Sequence, residues 1–109
     1  MIVAFSVAPS GSAPDAPDGP VSDSVGDAVA AAVRVVRESG LPHETSSMFT
    51  SIEGEWDEVM DVVKRATEAV GRYGSRVSLV LKADIRPGWT GQLAAKVDRV
   101  EQHLARDQD

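Results

Sequence analysis

The sequence predicts a small α+β domain in which helices cover one face of an antiparallel sheet. The chain has 109 residues, which is enough for one hydrophobic core and too little for two. Stretches typical of strands and of helices follow one another in the order β-α-β-β-α-β, and a further helix comes last. Each helix carries one apolar stripe, so each has one side to bury against a sheet. We therefore expect residues 1–109 to form a single domain.

The first strand is predicted over residues 1–8, which are apolar and rich in β-branched residues and stop at Pro9. Since Ile2 and Ala4 are as apolar as the residues between them, we expect this strand to be buried on both faces. Residues 9–20 contain four of the six prolines and are typical of a flexible loop. A loop of this length is either a tolerated surface insertion or a functional segment.

Apolar residues recur at helical spacing in three segments, which predict helices over 22–39, 56–72 and 91–106. Ser22 and Thr90 are suitable N-caps for the first and the last helix. Gly40, with a proline soon after it, is a suitable end for the first. The apolar face of the second helix begins at Trp56, and its acidic first turn suits the helix dipole.

Two short strands are expected around 43–47 and 49–54, and the strongest strand pattern covers 75–86. Along this last strand the odd-numbered side chains from Val77 to Ile85 point to one face, and the charged ones point to the other. The complete order of elements is satisfied by the ferredoxin-like fold, here a βαββαβ sandwich with an additional C-terminal helix. That fold hosts many functions and settles none of them.

The composition excludes several kinds of partner. The net charge is −6 and lysines and arginines do not cluster, so we expect no nucleic acid and no anionic membrane as partner. No apolar run reaches the roughly 18 residues of a membrane span. The apolar start of the chain lacks the basic region of a signal peptide, which predicts a cytoplasmic protein.

Catalytic and metal-binding motifs are also missing from the sequence. It has no cysteine, and its two histidines, His43 and His103, lie far apart, so no disulfide and no transition metal is expected. Neither a phosphate-binding loop nor a Gly-x-Ser-x-Gly elbow occurs. Ser6, His43 and Asp84 supply the residue types of a triad, but such a set can be chosen from almost any sequence. We therefore predict a binding protein that is not an enzyme and has no cofactor.

One charged stretch, residues 50–57, leads from a predicted strand into a predicted helix. Its acidic residues suit a helix start, which is one interpretation. The other places Glu53 at the rim of a pocket, where its carboxylate would pair with a cationic or amidine-like group. Phe49 and Trp89 are aromatic residues able to stack on a flat ring, although simple packing is their commoner role.

A second charged stretch places Lys82, Asp84 and Arg86 on one face of the last strand. On an exposed sheet this is an ordinary charged ladder. Since Val80 shares the face, a pocket or a partner subunit is the alternative interpretation. A long, partly apolar edge strand is a liability in a monomer, so this strand is expected to pair in a symmetric dimer.

Five segments form a pattern within a similarity that covers about residues 1–104. They are MIVAFSVAP at the start with Gly11, ESGL at 38–41, Met48, IEGEWDEVM at 52–60 and KADIR at 82–86. The last two are the most specific. This pattern resembles the YkoF-type thiamine-binding protein family. The resemblance implies a ferredoxin-like fold, assembly into homodimers or homotetramers through the sheets, and non-catalytic binding of thiamine or of hydroxymethylpyrimidine, its aminopyrimidine part.

The resemblance also implies pocket or interface positions, which are Ser6, Met48, Thr50, Glu53, Lys82, Asp84 and Arg86. For a ligand of this kind, Glu53 or Asp84 would accept a hydrogen bond from the amine or balance the thiazolium charge. Met48 or Phe49 would contact the rings. The segment 12–20 is longer than the family's usual loop after the first strand, so it would either act as a lid or remain unpacked against the domain.

The remaining positions have supporting roles under this hypothesis. Ser6 and Thr50 would fix the orientation of the ligand by hydrogen bonds. Lys82 and Arg86 are awkward neighbours for a cation, and they would hold Asp84, lie at an interface or contact a phosphorylated ligand. The alternative hypothesis is a structural or regulatory homo-oligomer that binds no small molecule.

Overall fold

The computed structural model describes residues 1–12, 24–46, 48–88 and 90–107. Its elements are β1 (Ile2–Ser10), α1 (Ser24–Ser39), β2 (His43–Thr45), β3 (Thr50–Glu53), α2 (Trp56–Val70), a 3-10 turn (Gly71–Tyr73), β4 (Arg76–Asp84) and α3 (Gln92–Asp107). The predicted order of elements is thus confirmed, including the additional C-terminal helix. The expected N-cap Ser22 and most of the loop 9–20 lie outside the described residues.

The four strands form one sheet in the order β2-β3-β1-β4, and every neighbouring pair is antiparallel. This is the strand order of the predicted ferredoxin-like fold. β1 pairs with β3 over four residues and with β4 over nine, so β4 is an edge strand of the described sheet. Ile2 lies between Glu53 of β3 and Asp84 of β4 in this register.

One face of the sheet is covered by α1 and α2. Val3, Phe5 and Ile52 lie on this covered face and are buried. The helices contribute small and β-branched side chains at helical spacing, which let them approach the sheet closely. The buried helical residues are Ala28, Ala32, Val36, Val59, Val62, Val63, Ala66 and Val70. Each fully buried valine stabilises the fold by roughly 1.5–3 kcal/mol relative to exposure.

The other face, here called the open face, carries the even-numbered side chains of β1 and β4 together with Ser51 and Glu53. Ile2 and Ala4 are half-buried on this face rather than buried as expected, because α1 and α2 both lie on the opposite side. The start of α3 reaches only one end of the open face. Further along α3, Val100 and Leu104 recur at helical spacing and belong to the apolar stripe predicted for this helix. Both are exposed.

Several boundaries differ from the predictions for local reasons. β1 continues through Pro9, which pairs with Val77 of β4. This is compatible with proline because β3 pairs with β1 only as far as Phe5, so no second strand in the described sheet needs the missing N–H. β2 and β3 are shorter than expected because Ser46 and Phe49 close a turn, with the Ser46 N–H donating to the Phe49 carbonyl at 2.9 Å.

The ends of α1 and α2 follow their sequence signals. Gly40 follows α1 with a φ of +76°, a conformation that favours glycine. At the start of α2, the Glu58 carboxylate accepts the backbone N–H of Glu55 at 3.2 Å. Such a bond from the third helical residue fixes the first turn of a helix. α2 ends at Val70 and tightens into the 3-10 turn, so it is slightly shorter than predicted.

Candidate ligand-binding site

Two carboxylates meet at one end of the open face. Glu53 ends β3 and Asp84 ends β4, and both lie level with Ile2 on the strand between them. Since neighbouring strands are about 4.8 Å apart, the Cα atoms of the two acids are separated by roughly 10 Å. Arg86 follows Asp84 and borders the same small cavity. The structure therefore brings together three of the residues expected at a ligand site.

Glu53 is committed to the start of α3. Its carboxylate accepts the backbone N–H of Gln92 at 2.8 Å and that of Leu93 at 3.5 Å, and the residue is only 7% exposed. The first N–H groups of a helix have no partner within the helix, and they carry its positive dipole end. A buried carboxylate can accept hydrogen bonds from these N–H groups, and its negative charge interacts favourably with the positive end of the dipole. α3 begins at Gln92, so Thr90 is not its N-cap, and Glu53 fulfils that role from a distant strand.

The cavity between these groups is small. Its volume is about 10 Å³, and it is lined by Met1, Ile2, Glu53, Asp84, Arg86 and Gln92. A space of this size holds about one water molecule. The contact between Glu53 and α3 thus closes this end of the sheet, and a ring could enter only if side chains or the start of α3 moved.

Ser6 and Lys82 also lie on the open face, further from that end. Lys82 is exposed and pairs with Ala4 across β1 and β4. Ser6 is half-buried and pairs with Val80. Successive residues on one face of a strand are separated by roughly 7 Å. Lys82 is therefore the next open-face residue of β4 after Asp84, and Ser6 lies two steps along β1 from Ile2.

The other three expected residues lie elsewhere. Thr50 pairs with Phe5, so its side chain points to the covered face and away from Glu53. Met48 and Phe49 lie in the connection between β2 and β3, where both are exposed. This connection joins β3 at Thr50, which is the end of the strand opposite to Glu53. The structure does not bring these three residues to the carboxylate end of the sheet.

A larger cleft lies beside the small cavity, and the sequence did not indicate it. The cleft has a volume of about 190 Å³ and is lined by Met1, Glu55, Trp56, Ile85, Arg86, Pro87 and Gly88. Met1 and Arg86 border both the cleft and the small cavity. The cleft therefore continues the carboxylate end of the open face towards the start of α2.

The position of Trp56 corrects the sequence interpretation. Its spacing placed it on the apolar stripe of α2, but its side chain is 56% exposed. Trp56 is the first residue of α2, and it projects beyond the part of the helix that packs on the sheet. The available signal was its position: a tryptophan directly at a helix start, flanked by acids, has fewer packing partners than one in mid-helix.

The described ranges contain neither a helix suited to cross a membrane nor a cluster suited to hold a metal ion. No helix there has the length and apolar character needed to cross a bilayer. Among the same residues, no group of three or more histidines and acids is arranged to hold a metal ion. The expectation that no transition metal binds stays a prediction for elemental analysis of the purified protein.

Sequence comparisons connect the chain to known proteins. A family model described as "Thiamine-binding protein" matches residues 3–101. A UPF0045 protein of Mycobacterium bovis is 50% identical over 107 residues, which cover 97% of this chain and 96% of that protein. A UPF0045 protein of Synechocystis sp. is 39% identical over 85 residues, covering 77% of this chain and 70% of the other.

Solved structures share the fold. A domain of unknown function, DUF77, from Bacillus cereus is 35% identical with a TM-score of 0.64, and the match covers 80% of this chain and 76% of that one. A Thermotoga maritima protein described as a thiamine biosynthesis/salvage protein is 24% identical with a TM-score of 0.70, covering 91% and 96%. Because the family model matches nearly the whole chain, the chain belongs to the thiamine-binding protein family.

Proposed function

We propose that the protein binds thiamine or its hydroxymethylpyrimidine part, and that it does so without catalysing a reaction. The observation that carries the proposal is the end of the open face, where Asp84 and Arg86 border the small cavity and Arg86 also borders the adjoining cleft, which is large enough for one ring. Membership of the thiamine-binding family supports the choice of ligand. The proposal places this binding in the cytoplasm.

The chemistry of the ligand matches these groups. An aminopyrimidine offers a donor amine beside ring acceptors, and a thiazolium carries a positive charge. A site for them needs a hydrogen-bond acceptor, an apolar surface for the rings and tolerance of the cation. Asp84 supplies a carboxylate that accepts a hydrogen bond or balances the positive charge, and charge-assisted bonds of this kind are stronger than neutral ones. The net charge of −6 is compatible with a cationic ligand.

Glu53 and Asp84 have different roles under this proposal. Glu53 is buried and already accepts two backbone N–H groups of α3, so we assign it to positioning. Asp84 is half-buried at the mouth of the small cavity, so we assign the contact with the ligand to it. Arg86 and Lys82 would orient Asp84 or contact a phosphorylated ligand.

Isothermal titration with thiamine and with hydroxymethylpyrimidine tests the proposal. We expect one ligand per chain, and we expect Asp84→Asn to weaken binding at least tenfold, which is about 1.4 kcal/mol. Glu44→Gln is the matched control, because Glu44 is an exposed carboxylate that pairs with Ser51 at the far side of the same face. If the wild-type protein shows neither heat nor a thermal shift with millimolar ligand, the proposal is wrong.

A homo-oligomer without a small-molecule ligand is the second candidate. It is favoured by the open face, where Ile2 and Ala4 are only half-buried and Val80 is 56% exposed. β4 adds nine residues at the edge of the described sheet, and such an edge can pair with a second copy. Light scattering checks the assembly: a monomer of 11.5 kDa at micromolar concentration would exclude it.

A further inference from the structure

We infer that the cleft at the start of α2 is a recognition site for a single flat, amino-bearing heteroaromatic ring, with Trp56 as its stacking surface and Glu55 as its hydrogen-bond acceptor. The inference rests on the proposed function in one respect, because the aminopyrimidine is the ring that the proposed ligands would offer. It goes beyond that function by assigning ring recognition to two residues outside the expected set.

The lining of the cleft includes apolar residues that a ring could contact. They are Trp56 and Ile85, which are 56% and 55% exposed, together with Pro87 and Gly88. The buried core is complete without Trp56, since α2 packs through Val59 and the residues that follow it. An exposed tryptophan next to an exposed isoleucine forms an apolar patch of the kind that marks binding sites.

The size of the cleft selects one ring. Its volume of about 190 Å³ lies below the roughly 300–1,000 Å³ of sites that enclose drug-sized ligands. It is many times the roughly 10–15 Å³ that a cavity needs, by the same measure, to hold one water molecule. A single substituted six-membered ring is therefore the appropriate occupant, and the remainder of a two-ring molecule such as thiamine would extend out of the cleft.

The charges around the cleft favour an amine over an anion. Glu55 lines the cleft, and Asp57 and Glu58 follow it in the first turn of α2. The Glu55 carboxylate would accept from an exocyclic amine, and the acidic first turn would repel a phosphate. A partly cationic ring over the indole face of Trp56 would gain a further attraction. Arg86 also borders the cleft, but a guanidinium only donates hydrogen bonds, so we do not assign the amine to it.

Intrinsic fluorescence with titration calorimetry tests this site. The chain has two tryptophans, so the Trp89→Phe variant reports on Trp56 alone. We titrate that variant with 4-aminopyrimidine, hydroxymethylpyrimidine, its phosphate and thiamine. We expect saturable quenching by the unphosphorylated rings and a weaker response to the phosphate. In calorimetry we expect Trp56→Ala and Glu55→Gln each to weaken binding of hydroxymethylpyrimidine at least tenfold.

Leu104→Ala is the matched control for Trp56→Ala, because Leu104 is equally exposed but lies far along α3. It should leave the affinity unchanged, and neither substitution should shift the unfolding midpoint much. If hydroxymethylpyrimidine binds to the wild type and Trp56→Ala has no effect, this inference is wrong while the proposed function stands. Saturable quenching by 4-aminopyrimidine without any response to thiamine or hydroxymethylpyrimidine would support the site and overturn the proposed function.

Discussion

The two faces of the sheet are built from the same strands but have different surroundings. On the covered face, Val3 and Ile52 are completely buried under α1 and α2. On the open face, Ile2 and Ala4 are half-buried, and Val80 is largely exposed. Both faces of β1 are apolar in sequence. The difference teaches that hydropathy identifies the side chains that can be buried. Which of these side chains are buried depends on where the helices pack on the sheet.

Among the described residues, α3 is attached to the open face at its first turn, where Glu53 accepts the N–H groups of Gln92 and Leu93. This attachment is polar and local, while the covered face is held by many apolar contacts spread over two helices. A surface with a polar attachment at one end and unburied apolar residues beside it has the composition of a binding surface rather than of a core. Comparable substitutions on the two faces should therefore have different effects.

The largest expected effect is the loss of a large core side chain. Phe5→Ala should lower the free energy of unfolding by about 3–5 kcal/mol, because it removes a buried ring and leaves a cavity under the helices. Val80→Ala on the open face should change it by about 0.5 kcal/mol or less in the monomer. Denaturant unfolding measures both. Equal losses for the two variants would contradict the distinction between the faces.

An intermediate effect is expected at the attachment of α3. Glu53→Gln keeps the side-chain length but removes the charge that faces the helix start, and it should cost about 1–2 kcal/mol. Glu44→Gln, an exposed carboxylate change on the same face, should be nearly neutral. Hydrogen exchange of the Gln92 and Leu93 amides gives a local readout. Unchanged protection of these amides in Glu53→Gln would show that the carboxylate does not hold α3.

The smallest effect concerns two hydroxyl side chains on opposite faces. Ser6→Ala on the open face should weaken ligand binding by less than the roughly 1 kcal/mol of one hydrogen bond, because Ser6 lies two steps along β1 from Ile2. Thr50→Ala on the covered face should leave the affinity unchanged, because its side chain points away from the proposed site. Titration calorimetry on both variants checks this pair. A loss of affinity confined to Thr50→Ala would place the ligand on the other side of the sheet.

Local patterns were sufficient to predict most of the fold. The alternation along β4 predicted that Lys82 and Asp84 share a face, and the spacing of apolar residues predicted three helices within a few residues of their ends. Gly40 was recognised as the end of α1 because its role depends only on its own backbone. Each of these features is decided by residues that are close in sequence.

The candidate site was less predictable because its contacts join distant parts of the chain. Glu53 caps a helix that begins 39 residues later, and no local spacing signals such a bond. Trp56 satisfies the helical period of α2, so only the three-dimensional position of the helix start shows that it is exposed. Thr50 was expected beside Glu53 because of the family resemblance, although a step of three residues along a strand reverses the face.

The pairing of β1 with β4 has a consequence for how the protein is made. β1 leaves the ribosome well before β4, yet β4 supplies the only neighbour in the described sheet for the second half of β1. Until residue 76 and those after it have been synthesised, β1 has β3 alone as a partner, and the backbone donors and acceptors beyond Phe5 lack their ladder. Contacts between such distant segments slow folding, and unpaired strand edges invite association with other chains. The nascent domain therefore passes through a period of exposure that ends only when its last strand is added.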